Sequence, residues 1–100
     1  MLTLPITRKW YDMILSGEKT EEYREVKPYY DSRFRRLFDM DELNNPTGLD
    51  EHQIVFRNGY SRDSPSFTTD CTLTKGKGHP EWGAEPDKQY WILNIHRIHK

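Results

Sequence analysis

A chain of 100 residues has room for one core, so residues 1–100 read as a single domain. Only 34% of the chain is hydrophobic and 31% is charged, yet three Trp, six Tyr and four Phe supply enough bulky surface to close a compact core. A net charge of −1 gives no global field that attracts nucleic acid, so any such binding has to come from a local basic patch.

Cys71 is the single cysteine, which excludes an internal disulfide and a multi-cysteine zinc site. Of His52, His79, His96 and His99, only the last two have a suggestive spacing, and they sit at a chain end. No metal and no cofactor are therefore expected. No apolar run reaches membrane-spanning length, and the N-terminus lacks a basic region followed by an apolar stretch. The expectation is a protein without membrane contact, in the reducing cytoplasm.

In chain order, Leu2 to Ile6 alternate apolar and polar and predict a short strand. Thr7 offers an N-cap, Trp10, Met13 and Ile14 share a helical face, and Gly17 makes a helix stop. Thr20 to Val26 lacks a helical apolar stripe and is bracketed by Gly17 and Pro28, so it predicts a strand despite its helix-forming Glu and Arg. Its period of two sets Thr20, Glu22, Arg24 and Val26 on one face and Glu21, Tyr23 and Glu25 on the other.

Pro28 suits the first turn of a second helix over Tyr29 to Phe38, with Tyr30, Phe34, Leu37 and Phe38 facing the core and Arg33, Arg35 and Arg36 mainly exposed. Asp39 to Glu51 carries five acidic residues and no basic ones around Asn44-Asn45-Pro46-Thr47-Gly48, and predicts a mobile loop. Ile54 to Arg57 predicts a strand ended by the Asn58-Gly59 turn signal. Phe67, Thr69, Cys71 and Leu73 alternate against Thr68, Asp70 and Thr72 in the next strand, before Gly76, Gly78 and Pro80 break the chain. Tyr90 to Ile98 closes the domain, with Trp91, Leu93 and Ile95 directed inward. About five strands and two short helices predict a small α+β domain built on a mostly antiparallel β-barrel.

The segment Ile14-Leu15-Ser16-Gly17-Glu18-Lys19-Thr20-Glu21-Glu22-Tyr23-Arg24 resembles the signature of ASCH domains: a helix end with Gly, then Lys, then Glu and Arg one residue apart. The continuation Glu25-Val26-Lys27-Pro28-Tyr29-Tyr30 is similar to small phage and bacterial members. So are the blocks Phe56-Arg57-Asn58-Gly59-Tyr60 and Glu81-Trp82-Gly83-Ala84-Glu85-Pro86. The resemblance spans nearly the whole chain except the acidic loop. It implies a PUA-like barrel with a cleft lined by Lys19, Glu22 and Arg24, and RNA or a nucleotide as the partner. Some relatives are ribonucleases, or amidohydrolases acting on acetylated cytidine. In the amidohydrolases the catalytic set includes Lys, Thr and a later Glu; Lys19 matches the Lys, whereas Glu22 stands in place of the Thr.

Elementary chemistry is compatible with a site at these positions. Glu22 and Arg24, two apart on a strand, leave one face about 7 Å apart at the backbone, a gap that long side chains close with a charge-assisted pair. A solvated, salt-bridged strand would read the same way, and the resemblance is what favours a site. Lys19, just before the strand and at a partly exposed position, is expected to stay charged. Glu22 at about 4 Å would favour the ammonium by roughly 4 kcal/mol at an effective dielectric of 20. A charged Lys19 suits holding a phosphate better than abstracting a proton; in an enzyme, Lys19 and Glu22 would be the catalytic pair.

Arg57, Asn58 and Tyr60 at a strand end, and Trp82 in a Gly- and Pro-bounded loop, complete the candidate ligand-binding set, Trp82 either capping the core or stacking on a base. Lys27, Arg33, Arg35 and Arg36 interleave with Tyr29 and Tyr30 as a phosphate-tracking patch would, and as a solvated helix face would. The leading expectation is an RNA- or nucleotide-binding module. A hydrolase acting on RNA or a modified nucleoside in the same cleft is the alternative, and a protein-interaction module using the acidic loop ranks third. The oligomeric state has no signature in the sequence.

Overall fold

The computed structural model describes residues 1–99. Its elements are β1 (Leu2–Ile6), α1 (Arg8–Leu15), β2 (Glu21–Glu25), α2 (Pro28–Leu37), β3 (His52–Asn58), β4 (Ser66–Lys77), a short 3-10 turn (Pro80–Trp82) and β5 (Gln89–His99). The five strands form one curled sheet in the order β1-β3-β4-β5-β2, parallel only between β1 and β3. This is the expected α+β domain with a barrel-like sheet and two helices. Among the described residues no helix is long and apolar enough to cross a membrane.

Alternation explains most of the core. Leu4 and Ile6 of β1, Ile54 and Phe56 of β3, Phe67, Cys71 and Leu73 of β4, and Trp91 and Leu93 of β5 meet Ile14 of α1 and Phe34 and Phe38 around α2 in one cluster. Ile95 packs against it only partly buried. The indole nitrogen of Trp91 would be an unmet donor there, and the Asp31 carboxylate accepts its hydrogen bond at 2.8 Å.

The sheet bends where β4 and β5 slip register: Asp70 pairs with Arg97 but Cys71 with Ile95, so His96 is the extra residue of a bulge. Bending brings the two edge strands, β1 and β2, towards each other.

Three local expectations need correcting. Gly76 does not break the chain but stays in β4, paired with Tyr90. Thr7 occupies the N-cap position as expected and its carbonyl accepts the first helical bond, from the Tyr11 amide at 3.0 Å, but its side chain makes no capping bond. Arg35 is half-buried against Trp91, while Arg33 and Arg36 are exposed as expected. The acidic segment carries no regular element beyond an isolated bridge between Met40 and Pro46. Its acids bond within and beside the loop: Asp41 accepts the amides of Leu43 and Asn45, each at 2.9 Å, and Asp50 accepts the Asp39 amide at 2.9 Å and holds His52 at 2.7 Å.

Candidate functional site

A cavity of about 660 Å³ opens at the seam between the end of β1 and β2. No backbone ladder joins these two edges; Arg24 spans them, donating from Nη2 to the Pro5 carbonyl at 2.8 Å. Trp10, Tyr30, Tyr60, Trp82 and Tyr90 contribute aromatic surface to the cavity, and Glu22 and Arg24 lie in its floor.

The strand period places Glu22 and Arg24 together as predicted. Arg24 Nη1 contacts Glu22 Oε2 at 2.5 Å and also donates to the Tyr23 carbonyl at 3.0 Å. The other carboxylate oxygen, Oε1, lies 3.0 Å from Lys19 Nζ. Glu22 is thus held by a cation on each oxygen at only 4% exposure, a charge that burial would make costly if unpaired.

Lys19 is not partly exposed, as the sequence suggested; it is 1% exposed and lies behind Glu22 rather than in the cavity lining. Its ammonium donates to the Trp82 carbonyl at 2.6 Å and sits over the rings of Trp10 (4.4 Å) and Tyr23 (5.0 Å). Burial pulls its pKa down, and the Glu22 charge and hydrogen bond oppose that pull without cancelling it. Carboxylate, carbonyl and two π faces make a cage suited to the charged amine.

The Lys19 bond also fixes the wall of the cavity. Trp82 is gripped at its carbonyl by Lys19, and its indole lies against the His79 ring, centroids 4.6 Å apart. The His79 amide donates to the Tyr23 hydroxyl at 2.9 Å, and that hydroxyl donates to Glu21 Oε1 at 2.8 Å. Burial of Tyr23 raises its pKa, so the phenol stays protonated as a donor. Gly83 ends the turn at φ +100°, and a Cβ there would sit 2.9 Å from Trp10 Cζ2. Trp10 and the Trp82 turn therefore touch because position 83 has no side chain.

Of the residues singled out in the sequence, Glu22, Arg24, Asn58, Tyr60 and Trp82 line this cavity. Arg57 does not; it borders a separate recess of about 140 Å³ with Thr3, Pro5, Gly59 and Tyr60. Sequence reasoning missed Trp10, Glu25, Glu85, Lys88 and Tyr90, and it considered Lys27 and Tyr30 only as part of a helix patch or core face. At the rim Lys88 is held by Glu85 at 3.2 Å and Glu25 at 3.7 Å. The Glu85 hydrogen bond raises the Lys88 pKa. Lys27 lines the cavity with no carboxylate within salt-bridge distance among the described residues.

Chemically the floor presents a carboxylate edge beside a guanidinium edge, between aromatic walls. Such an arrangement offers stacking surface to a planar group, with a carboxylate and a guanidinium already engaged by protein partners. It is poorly arranged for proton transfer, because Glu22 is occupied on both oxygens and Lys19 is sealed from the cavity. Among the described residues no three or more His, Cys, Asp or Glu side chains group as a metal site. Comparison with protein-family models, curated proteins and solved structures yields no match for this chain.

Proposed function

We propose that this chain is an ASCH-type module of the PUA-like class that binds one nucleotide, free or unpaired within RNA, in the seam cavity. The observation that carries the reading is the aromatic-walled cavity with the buried Glu22–Arg24 pair in its floor. Its volume of about 660 Å³ lies in the range typical of small-molecule sites. The free, buried thiol of Cys71 goes with a reducing, cytoplasmic setting.

Charge argues for a single nucleotide rather than a long phosphate track. The lining cations Arg24, Lys27 and Lys88 are matched by the lining carboxylates Glu22, Glu25 and Glu85. Affinity then rests on stacking and hydrogen bonds, and its salt dependence should be shallow, with a slope of about one counterion or less. Binding is favoured over hydrolysis because no lining carboxylate at the floor is free to act as a base.

The test uses the intrinsic fluorescence of Trp10 and Trp82, titrated with the four ribonucleoside monophosphates and short oligoribonucleotides, with products followed by chromatography. Saturable quenching without turnover is expected. Tyr60→Ala, at a residue 90% exposed, should keep the fold and weaken binding by about tenfold if its ring stacks on the base. No saturable signal with any of these ligands would refute the reading, and turnover by the wild type would replace it with the hydrolase.

A further inference from the structure

Beside the cavity mouth, α2 begins with an aromatic–cation arrangement that the core does not explain. Tyr30 lines the cavity, and the Arg24 guanidinium lies 5.9 Å from its ring centroid. Tyr29 packs edge-on to Tyr30, centroids 5.0 Å apart, but is itself 54% exposed. The guanidinium of Arg33 lies 3.6 Å from the centre of the Tyr29 ring and is oriented by donating to the Tyr29 carbonyl at 2.8 Å. The contact is an ordinary i,i+4 helix pair in spacing. What that spacing does not explain is an exposed aromatic joined, through Tyr30, to a cavity.

The electrostatics there suit a phosphodiester. Lys27, at the N-terminal boundary of α2, lines the cavity with no carboxylate partner among the described residues. The one acid in the first turn of α2, Asp31, is turned to other work: it accepts from Trp91 at 2.8 Å and lies 3.8 Å from Arg35. Resting on the cavity reading above, we infer that Tyr29 and Arg33 form a second stacking subsite for the neighbouring nucleobase of a single-stranded RNA. Lys27 holds the phosphate that links that base to the nucleotide in the cavity. A guanidinium laid on a phenol ring offers a planar, cationic platform of the kind on which any base stacks without sequence preference. The ligand class is thus an unpaired dinucleotide unit within RNA.

The experiment compares, for each base, the 5′- and 3′-monophosphates with the dinucleoside monophosphate, by tryptophan fluorescence or calorimetry. Wild type should bind the dinucleoside monophosphate about tenfold more tightly than the better monophosphate, the value of one stacked base. Tyr29→Ala and Arg33→Ala should each erase most of that gain while leaving monophosphate affinity unchanged, and Tyr29→Phe should retain it. Both side chains are exposed, so the variants should fold, which circular dichroism checks. If monophosphates bind and the dinucleoside monophosphate gains nothing, or if the gain survives Tyr29→Ala, the second subsite is wrong and the cavity reading stands. If no monophosphate or dinucleoside monophosphate binds, the cavity reading fails and takes this inference with it.

Discussion

Replacing Lys19 by Met should cost this domain a large share of its stability. The side chain is fully buried, and its ammonium makes a 3.0 Å pair with Glu22 and a 2.6 Å bond to the Trp82 carbonyl. Methionine matches the length and fills the space between Trp10 and Tyr23, so the cavity term is small. What remains is a buried Glu22 held by Arg24 alone and a Trp82 carbonyl without its donor. Breaking a buried pair from one side costs about 3–5 kcal/mol, and the surviving Arg24 contact places the expectation near the lower end. With a urea m-value of about 1.5 kcal/mol/M, the unfolding midpoint should fall by about 2 M. That is a large part of the roughly 5–15 kcal/mol that holds a domain together. Lys19→Arg keeps the charge but forces a larger, branched head into the same cage, an overpacking worth about 1–3 kcal/mol. Urea titration followed by far-UV circular dichroism measures both variants. Combining Lys19→Met with Glu22→Gln should cost less than the sum of the single changes, because the two groups share one interaction. A midpoint shift below about 0.5 M for Lys19→Met would refute the buried cage and return Lys19 to a partly exposed surface position.

Two further outcomes follow from the same packing. Burial pushes the Cys71 thiol up from 9.0 to about 12, so between those pH values the unfolded chain releases a proton that the folded chain keeps. This contribution to stability is full below pH 9 and should be lost at up to about 1.4 kcal/mol per pH unit above it. Tyr23, with its raised pKa, acts in the same direction above pH 10, while the lowered pKa of Lys19 acts in the opposite sense as pH rises towards 10.5. The wild type minus Cys71→Ala difference isolates the thiol, and a difference that stays flat from pH 8 to 11 in denaturant titrations would contradict it. Gly83→Ala should destabilise by about 1–3 kcal/mol, since φ is +100° and the new methyl group meets Trp10 at 2.9 Å. Thermal or urea unfolding reads that loss, and a neutral result would mean that the Trp82 turn does not press on Trp10.

Local signals carried much of this fold. Gly17 and Pro28 left too little chain for a helix between them, and that length argument overrode the helix propensity of Glu and Arg in what became β2. Once β2 is a strand, Glu22 and Arg24 have to leave the same face, so their pairing was legible from two residues. Burial of Lys19 was not legible. Charged side chains are almost always exposed unless caged, and this cage is completed by a carbonyl 63 residues away in sequence. A second layer also escaped notice. Tyr90 and Ile92 are buried with Tyr23 and Ala84 on the face of β5 opposite Trp91 and Leu93. The unbroken apolar run Tyr90-Trp91-Ile92-Leu93 is the mark of a strand covered on both sides, and an alternating template discards half of it. Tyr90 is the wall of the cavity that this template loses.

The position of the cavity follows from how the sheet handles its edges. Open edges invite pairing with other chains, and a short curled sheet has two of them. Here β1 carries Pro5, which offers no amide to a further strand, and β2 reaches across to Pro5 through the Arg24 side chain rather than through its backbone. A full backbone ladder would have closed the barrel and left no room between the edges. One guanidinium spanning the gap holds the edges together yet keeps them a side chain's length apart, and that opening is the mouth of the cavity. The residue that joins the seam is therefore also the residue that puts a cation in the floor. Glu22 neutralises that cation, and Lys19, from behind, balances Glu22 and steadies the Trp82 wall. Stability at this seam rests on three mutually balanced charges, so a substitution at any one of them should unsettle the other two and the Trp82 wall together.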